Sequence, residues 1–167
     1  MGRRQGTRRT LVVAAVVAAV VAAGLAGCGG GDSPRLSRAD YVKRAGAECS
    51  TLERASNELQ KAQEVGATGS KVREYLAEAA AGLHDLADGL DRLMPPAVME
   101  TDADALGTAL AEYGAGLQSL ADEVGPDDTF QRALGANREL VRRLNGIAER
   151  ATRLVARLGI DGCQLAA

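Results

Sequence analysis

The chain has 167 residues, of which 20 are Lys or Arg and 22 are Asp or Glu, so its formal net charge is −2. A chain with this balance lacks the excess of positive charge that nucleic-acid binding requires. One His, one Phe, three Tyr and no Trp exclude metal sites built on several imidazoles and the aromatic platforms of sugar and base sites.

The N-terminal segment has the layout of an export signal. Four arginines among the first nine residues precede a run, residues 11–23, that contains only Leu, Val and Ala. The stretch between Arg9 and Gly27 is shorter than the roughly 20 residues that a transmembrane helix needs. We therefore predict a cleaved signal peptide over residues 1–27. The paired arginines leave the twin-arginine export route open beside the general one.

The tetrad Leu25-Ala26-Gly27-Cys28 follows the apolar run and resembles the lipobox of bacterial lipoproteins. In that family the small residue before the cysteine fits the signal peptidase, and the thiol accepts a diacylglyceryl group. The resemblance implies cleavage between Gly27 and Cys28, and acyl chains such as palmitate on Cys28. Since two chains hold a protein far more firmly than one, we expect a lipid anchor in the cell membrane, with the domain on the extracytoplasmic side.

The mature chain would begin with a short tether. Residues 28–36 are rich in glycine, which is typical of a flexible linker. Loss of residues 1–27 removes four of the 20 Lys and Arg and none of the 22 Asp and Glu, so the mature chain carries about −6. Residues 37–167 are enough for one domain with a single modest core.

Apolar residues recur at three- and four-residue spacing in four segments of this domain, which predicts an all-α fold, an up-down four-helix bundle. Ser37 is expected to cap the first helix and Ser70 the second. Pro95-Pro96 separates the second helix from the third. Glycines inside the helices indicate either close helix approach or locally weak helix: Gly82, Gly89, Gly107, Gly114, Gly135 and Gly146.

The fourth helix has the clearest pattern. Asp127 or Asp128 is expected to cap it, its apolar stripe continues through Asn137, and Gly159 is expected to end it. The stripe is wider than a two-stranded seam, which suits a helix buried against two neighbours. The residues that widen it are Ala133, Leu140, Ile147 and Leu154.

Cys49 and Cys163 are the cysteines that remain once Cys28 carries lipid. An oxidising compartment favours a disulfide between them. A redox-active or metal-binding pair is the rival interpretation, but neither C-x-x-C spacing nor a companion histidine supports it. Up-down order brings the end of the fourth helix beside the start of the first, so we expect one disulfide to close the bundle.

Charge is divided between the last two helices. The third helix, residues 97–124, has six acidic residues and no Lys or Arg, whereas the fourth is basic. Complementary charges between neighbouring helices explain this pattern. The alternative is an arginine face that contacts anionic phospholipid or an acidic wall polymer. That face would comprise Arg142, Arg143, Arg150, Arg153 and Arg157.

Three other features have ordinary structural interpretations. His84 is the only histidine, and we expect it to face solvent near carboxylates. Met94 and Met99 are expected to fill gaps at the end of a bundle. The acidic run of the third helix is expected to be a solvated face: Glu100, Asp102 and Asp104.

Three short segments are similar to segments of small secreted proteins and lipoproteins common in actinobacteria. They are Ala39-Asp40-Tyr41-Val42 before Cys49, Leu93-Met94-Pro95-Pro96, and Leu158-Gly159-Ile160-Asp161-Gly162-Cys163. The resemblance implies a helical fold closed by a disulfide between Cys49 and Cys163, and it implies no activity.

The function expected from the sequence is that of a non-enzymatic interaction or scaffold module of the cell envelope. A lone histidine without a convergent polar cluster predicts no enzyme, no cofactor and no metal. Besides membrane lipid, the expected partner is an envelope protein or an anionic wall polymer, and not nucleic acid. The alternative is a carrier of a small ligand or lipid, for which an interior rich in alanine and glycine would leave a cavity between the helices.

Overall fold

The computed structural model describes residues 35–63, 66–161 and 163, and this part of the chain contains helices and no β-strand. The all-α prediction is therefore confirmed. The predicted signal peptide, Gly27, Cys28 and residues 28–34 of the tether lie outside the described residues. The elements are α1 (Arg38–Glu48), α2 (Ser50–Gln63), α3 (Ser70–Asp91), a 3-10 helix (Ala97–Met99), α4 (Glu100–Asp122), α5 (Phe130–Ala136) and α6 (Arg138–Leu158).

Two of the predicted helix ends are confirmed. The Ser37 hydroxyl accepts a hydrogen bond from the backbone N–H of Asp40 at 3.1 Å, which satisfies one of the free donors at the start of α1. Gly159 ends α6 in the left-handed conformation, with φ of +70°. A glycine takes up this conformation without the steric cost that a Cβ brings.

Two predicted caps are wrong. Gly69, with φ of +53°, occupies the cap position of α3 in place of Ser70, and its N–H donates to the Asp128 carbonyl at 2.9 Å. The Thr129 hydroxyl caps α5. Asp128 does not cap that helix because its carboxylate accepts the Gly125 N–H at 2.8 Å and closes the preceding turn.

The first and fourth predicted helices are each interrupted once. Cys49 forms the turn between α1 and α2, and its carbonyl accepts the Leu52 N–H at 2.9 Å, a tighter turn than that of an α-helix. Asn137, at φ −109° and ψ 38°, separates α5 from α6. Its side-chain amide donates to the Ala133 carbonyl at 3.1 Å. The interruption arises because asparagine bonds to the local backbone, although its position fits the apolar stripe.

Three neighbouring pairs run antiparallel: the α1–α2 segment with α3, α3 with α4, and α4 with α6. In each pair the start of one partner lies near the end of the other. For the α1–α2 segment and α3, Lys61 lies near Tyr75 and Glu48 lies near Gly89. For α3 and α4, Arg73 bonds to Val124 and His84 lies near Gly114. For α4 and α6, Gly116 lies near Leu144 and Asp102 pairs with Arg157.

The helix glycines fall into two groups. At Gly114 a Cβ would lie 3.1 Å from the Ala80 carbonyl oxygen, so α3 and α4 approach closely here. At Gly107, Gly135 and Gly146 a Cβ would meet nothing within 4 Å. These three glycines make their helices less stable than alanine would, and no close contact at these positions requires a glycine.

Cys49 and Cys163 are brought together beside the start of α2. Their sulfur atoms lie at bonding distance and their Cα atoms are 5.1 Å apart, within the range for disulfides. The exposed fractions are 1% and 4%. At Gly46 of α1 a Cβ would lie 3.2 Å from the Asp161 carbonyl oxygen, so the segment after α6 packs tightly on α1.

None of the helices in the described part of the chain is both long and apolar enough to cross a membrane.

Candidate functional site

A groove of about 650 Å³ lies between the C-terminal half of α4 and the N-terminal half of α6. Gly116 forms part of its wall on α4, and Leu144 of α6 occupies the space that a Cβ at Gly116 would need. The two helices therefore approach closely at this point. The groove falls within the size range of small-molecule sites and is open to solvent along its length.

The wide apolar stripe of α6 explains why the groove exists. Leu144, Leu154 and Leu158 are buried against the core. Leu140 and Ile147, which widen the stripe, are only partly buried and line the groove. None of the described helices covers Leu140 and Ile147 on this side as the second neighbour that the wide stripe predicts, so among the described residues an apolar strip stays accessible.

The five arginines of the predicted anionic-contact face are all exposed on α6, but they differ in their ion-pair partners. Arg150 pairs with Glu112 of α4, and Arg157 lies 3.0 Å from Asp102 of α4. Both are bonds between helices, as the complementary-charge interpretation predicts. Their side chains are about half exposed, so each pair contributes at most about 1 kcal/mol to stability.

Two of the remaining arginines pair within α6. Arg142 bonds to Glu139, and Arg153 lies 3.7 Å from Glu149. Arg143 alone of the five lines the groove, and it forms no ion pair with a described residue. Arg143 is therefore the one of the five whose charge no described carboxylate neutralises in an ion pair.

The polar lining of the groove is mixed. Glu112, Glu123 and Glu139 lie along it together with Arg138 and Arg143. Cations and anions beside an apolar strip suit a peptide or protein surface better than a uniformly anionic polymer, because like charges that face each other are unfavourable.

Other predicted residues are placed as follows. His84 is exposed, as expected, and its ring lies against Gly114. Met99 is buried at 6% exposure, whereas Met94 is 40% exposed and does not fill a gap. The acidic run is not simply solvated, because Glu100 lies 3.0 Å from Arg35 and Asp102 pairs with α6. In the described part of the chain, no group of three or more His, Cys, Asp or Glu side chains could hold a metal ion.

The sequence analysis missed a carboxylate pair between α2 and α3. Glu58 is 8% exposed, and its carboxylate accepts a hydrogen bond from Lys61 at 2.6 Å. The second carboxylate oxygen is buried and has no hydrogen-bond partner among the described residues. The Lys61 ammonium holds the pKa of Glu58 below its usual value, whereas the neighbouring Glu58 carboxylate raises the pKa of Glu78. The three-residue spacing of Glu58 and Lys61 was the signal available in the sequence.

Removal of the Lys61 ammonium is expected to change how the free energy of unfolding depends on pH. With Lys61 present, the lowered pKa of Glu58 stabilises the fold above about pH 4.5, and this contribution is lost as the pH falls. In Lys61→Met, the Glu58 carboxylate would still raise the pKa of Glu78, and the opposing effect of Lys61 on Glu78 would be gone, so the folded state would bind a proton more tightly than the unfolded state. The free energy of unfolding of the variant should then rise from pH 7 to pH 5, as measured by urea denaturation.

Lys71→Met is the matched control. Lys71 lies 2.8 Å from Glu74 in an exposed pair, and it is as near to the Tyr75 ring as Lys61 is. Its removal should change stability by less than about 1 kcal/mol, with little dependence on pH. Equal pH dependence of the two variants would show that the Glu58 and Glu78 carboxyls are not coupled through Lys61.

Comparison of the chain with protein-family models, with curated proteins and with solved structures finds no match. The helical class follows from the elements themselves.

Proposed function

We propose that the chain is a lipid-anchored, extracytoplasmic helical module without enzymatic activity, which presents the groove between α4 and α6 to a protein of the cell envelope. The observation that carries the proposal is the partly buried strip of Leu140 and Ile147 beside Arg143. An accessible apolar strip with charged edges is typical of a surface that binds another protein.

The anchor is part of the same proposal. The lipobox-like tetrad assigns the lipid to Cys28, with cleavage after Gly27, and residues 28–36 then serve as the tether. Labelling of cells with a palmitate analogue should modify the wild-type chain and should not modify Cys28→Ala. The variant should also be lost from the membrane fraction. Equal labelling of both chains would disprove the anchor.

We infer that the described helices form an up-down four-helix bundle. The first helix is interrupted at Cys49 and the fourth at Asn137. The three antiparallel pairs support this description, and so does the position of Gly159, at the end of α6, beside Arg38, at the start of α1. A disulfide between Cys49 and Cys163 would join the first and last helices.

The position of the groove suits a membrane-anchored module that binds another protein. Arg35, the first described residue, bonds to Glu100 at the start of α4, and Glu123 lines the groove just past the other end of that helix. The 23 residues of α4 span about 35 Å. The groove therefore lies in the half of the domain that is distant from Arg35, which lies near the end of the tether.

Photo-crosslinking in intact cells tests the binding role. A photoreactive residue at Leu140 would stand in the groove. The matched control is Asn145, which is exposed on the same helix outside the groove. We expect one dominant crosslinked protein from position 140, none from position 145, and loss of the crosslink when Cys28→Ala is added. Equal crosslinking from both positions would rule out the groove as the binding surface.

A carrier of a small ligand or lipid is the second candidate. The groove volume of about 650 Å³ favours it, because sites for small molecules have volumes of roughly 300–1,000 Å³. Native mass spectrometry of the purified chain should then show a bound molecule. Leu140→Asp should remove it, since a carboxylate would stand in the apolar strip. A purified chain with no bound molecule would contradict the carrier role, and protein binding would remain the proposed function.

A further inference from the structure

The start of the described chain is fastened to the turn between α3 and α4. The Leu36 N–H donates to the Met94 carbonyl at 2.8 Å. The Arg35 guanidinium donates to the Pro95 carbonyl at 3.1 Å and to Glu100 at 3.0 Å. Any anchor attached upstream of Arg35 is therefore joined to the domain beside this turn.

Residues 94–99 of this turn carry no charged side chain, whereas the exposed Arg92 precedes them and Glu100 follows them. The turn holds Val98, which is 90% exposed, and Met94, which is 40% exposed, the two large hydrophobic side chains that are exposed among the described residues. Soluble domains show scattered exposed apolar residues, but here two of them lie four positions apart in the turn that Arg35 and Leu36 contact.

The turn is held firmly in place. Pro95-Pro96 restricts the backbone before the 3-10 helix. The Met99 N–H, in the last residue of that helix, donates a hydrogen bond to the Pro96 carbonyl at 2.8 Å. Met99 itself is buried at 6% exposure and fastens the 3-10 helix to the core. Val98 is thus presented to solvent by a rigid support, so little conformational entropy is lost when it is covered.

We propose that the turn at residues 94–99 docks on the surface of the bilayer that holds the lipid on Cys28, with Val98 and Met94 entering the membrane interface. This inference rests on the lipid anchor of the proposed function. Cys28 is seven residues from Arg35, a span of at most about 25 Å when fully extended. A tether of this length keeps the turn at a high effective concentration near the membrane.

The charges at this end of the domain indicate which lipids are needed. Arg38 and Lys43 border a shallow apolar depression with Val42 and Leu158. Asp91 and Asp104 lie beside Pro95. Cations and anions are both present, so docking should depend on insertion of the apolar side chains and should occur on zwitterionic phosphatidylcholine without anionic lipid.

Tryptophan fluorescence tests the proposal, because the chain contains no Trp. Val98→Trp would place one fluorophore in the turn. Asp127→Trp would place one on an exposed loop at the opposite end of α4. Each full chain, purified with its lipid, is reconstituted into phosphatidylcholine vesicles whose acyl chains carry bromine, a quencher that acts at short range.

We expect both chains to float with the vesicles, with at least twofold quenching of Val98→Trp and no quenching of Asp127→Trp. Addition of Met94→Asp to Val98→Trp should at least halve the quenching, because a carboxylate would have to enter the interface.

Flotation without quenching of Val98→Trp would overturn the docking and leave the anchor intact. Failure to float would overturn the anchor, and the docking with it. A dominant crosslink from position 98 to another protein in cells would show that a protein covers the turn in place of lipid.

Discussion

Simultaneous replacement of Cys49 and Cys163 by alanine is expected to lower the free energy of unfolding by roughly 3 to 5 kcal/mol. The two residues are 114 positions apart, so a bridge between them closes nearly the whole described domain. In the chain-entropy model, a loop of about 100 residues corresponds to about 4.7 kcal/mol. Both side chains are also buried, so alanine leaves small cavities.

Urea denaturation of the oxidised chain and of the double variant measures this difference. Cys28→Ala is the control, because it removes a cysteine that lies outside the described domain and should leave the urea midpoint unchanged. The bridge itself is tested by alkylation without reductant. Labelling of both Cys49 and Cys163 in the mature, non-reduced protein would contradict a disulfide and would make the expected loss of stability unfounded.

Gly69→Ala is expected to destabilise the domain by about 3 kcal/mol or more. Gly69 has φ of +53° and ψ of −116°, a conformation that costs an L-residue about 1–3 kcal/mol. A Cβ would also overlap the Pro126 carbonyl oxygen and lie 2.8 Å from its carbonyl carbon. Since both are backbone atoms, the two loops would have to separate. The separation would break the bond from the Gly69 N–H to the Asp128 carbonyl.

Gly146→Ala is the matched control for that substitution. Gly146 is an exposed helical residue of α6, and a Cβ there would meet nothing within 4 Å. Alanine should therefore stabilise the domain by about 0.5–1 kcal/mol. Thermal denaturation should move the two midpoints in opposite directions. Destabilisation of similar size in both variants would mean that the close loop contact at Gly69 does not determine the effect.

The helices could be predicted because their signals are local. Apolar spacing of three and four residues placed α3 closely, and Val72, Leu76, Leu83, Leu86 and Leu90 are buried as that spacing requires. The hydroxyl of Ser37 and the left-handed Gly159 act within one helical turn of their own positions. Such features depend on a few neighbouring residues, which a single sequence contains.

The candidate site was only partly predictable, because its parts come from different helices. The five arginines were visible in the sequence, but the partners of Arg150 and Arg157 on α4 became clear only when the two helices were aligned. The groove exists because no other described helix packs on Leu140 and Ile147. A local sequence pattern cannot show which helix faces will lack a packing partner.

By itself the sequence determined the all-α class, the main buried stripes, the start of α1 and the end of α6. It also contains the patterns from which a signal peptide and a lipid anchor are predicted. Only the tertiary structure decided which glycines permit close approach, since Gly114 lies against α3 and Gly146 faces solvent in equally regular helices. It also decided that Met99 is buried while Met94 and Val98 are exposed in the turn that Arg35 and Leu36 contact. The physical reason is that propensity and periodicity act within one segment, whereas burial and proximity depend on how distant segments pack.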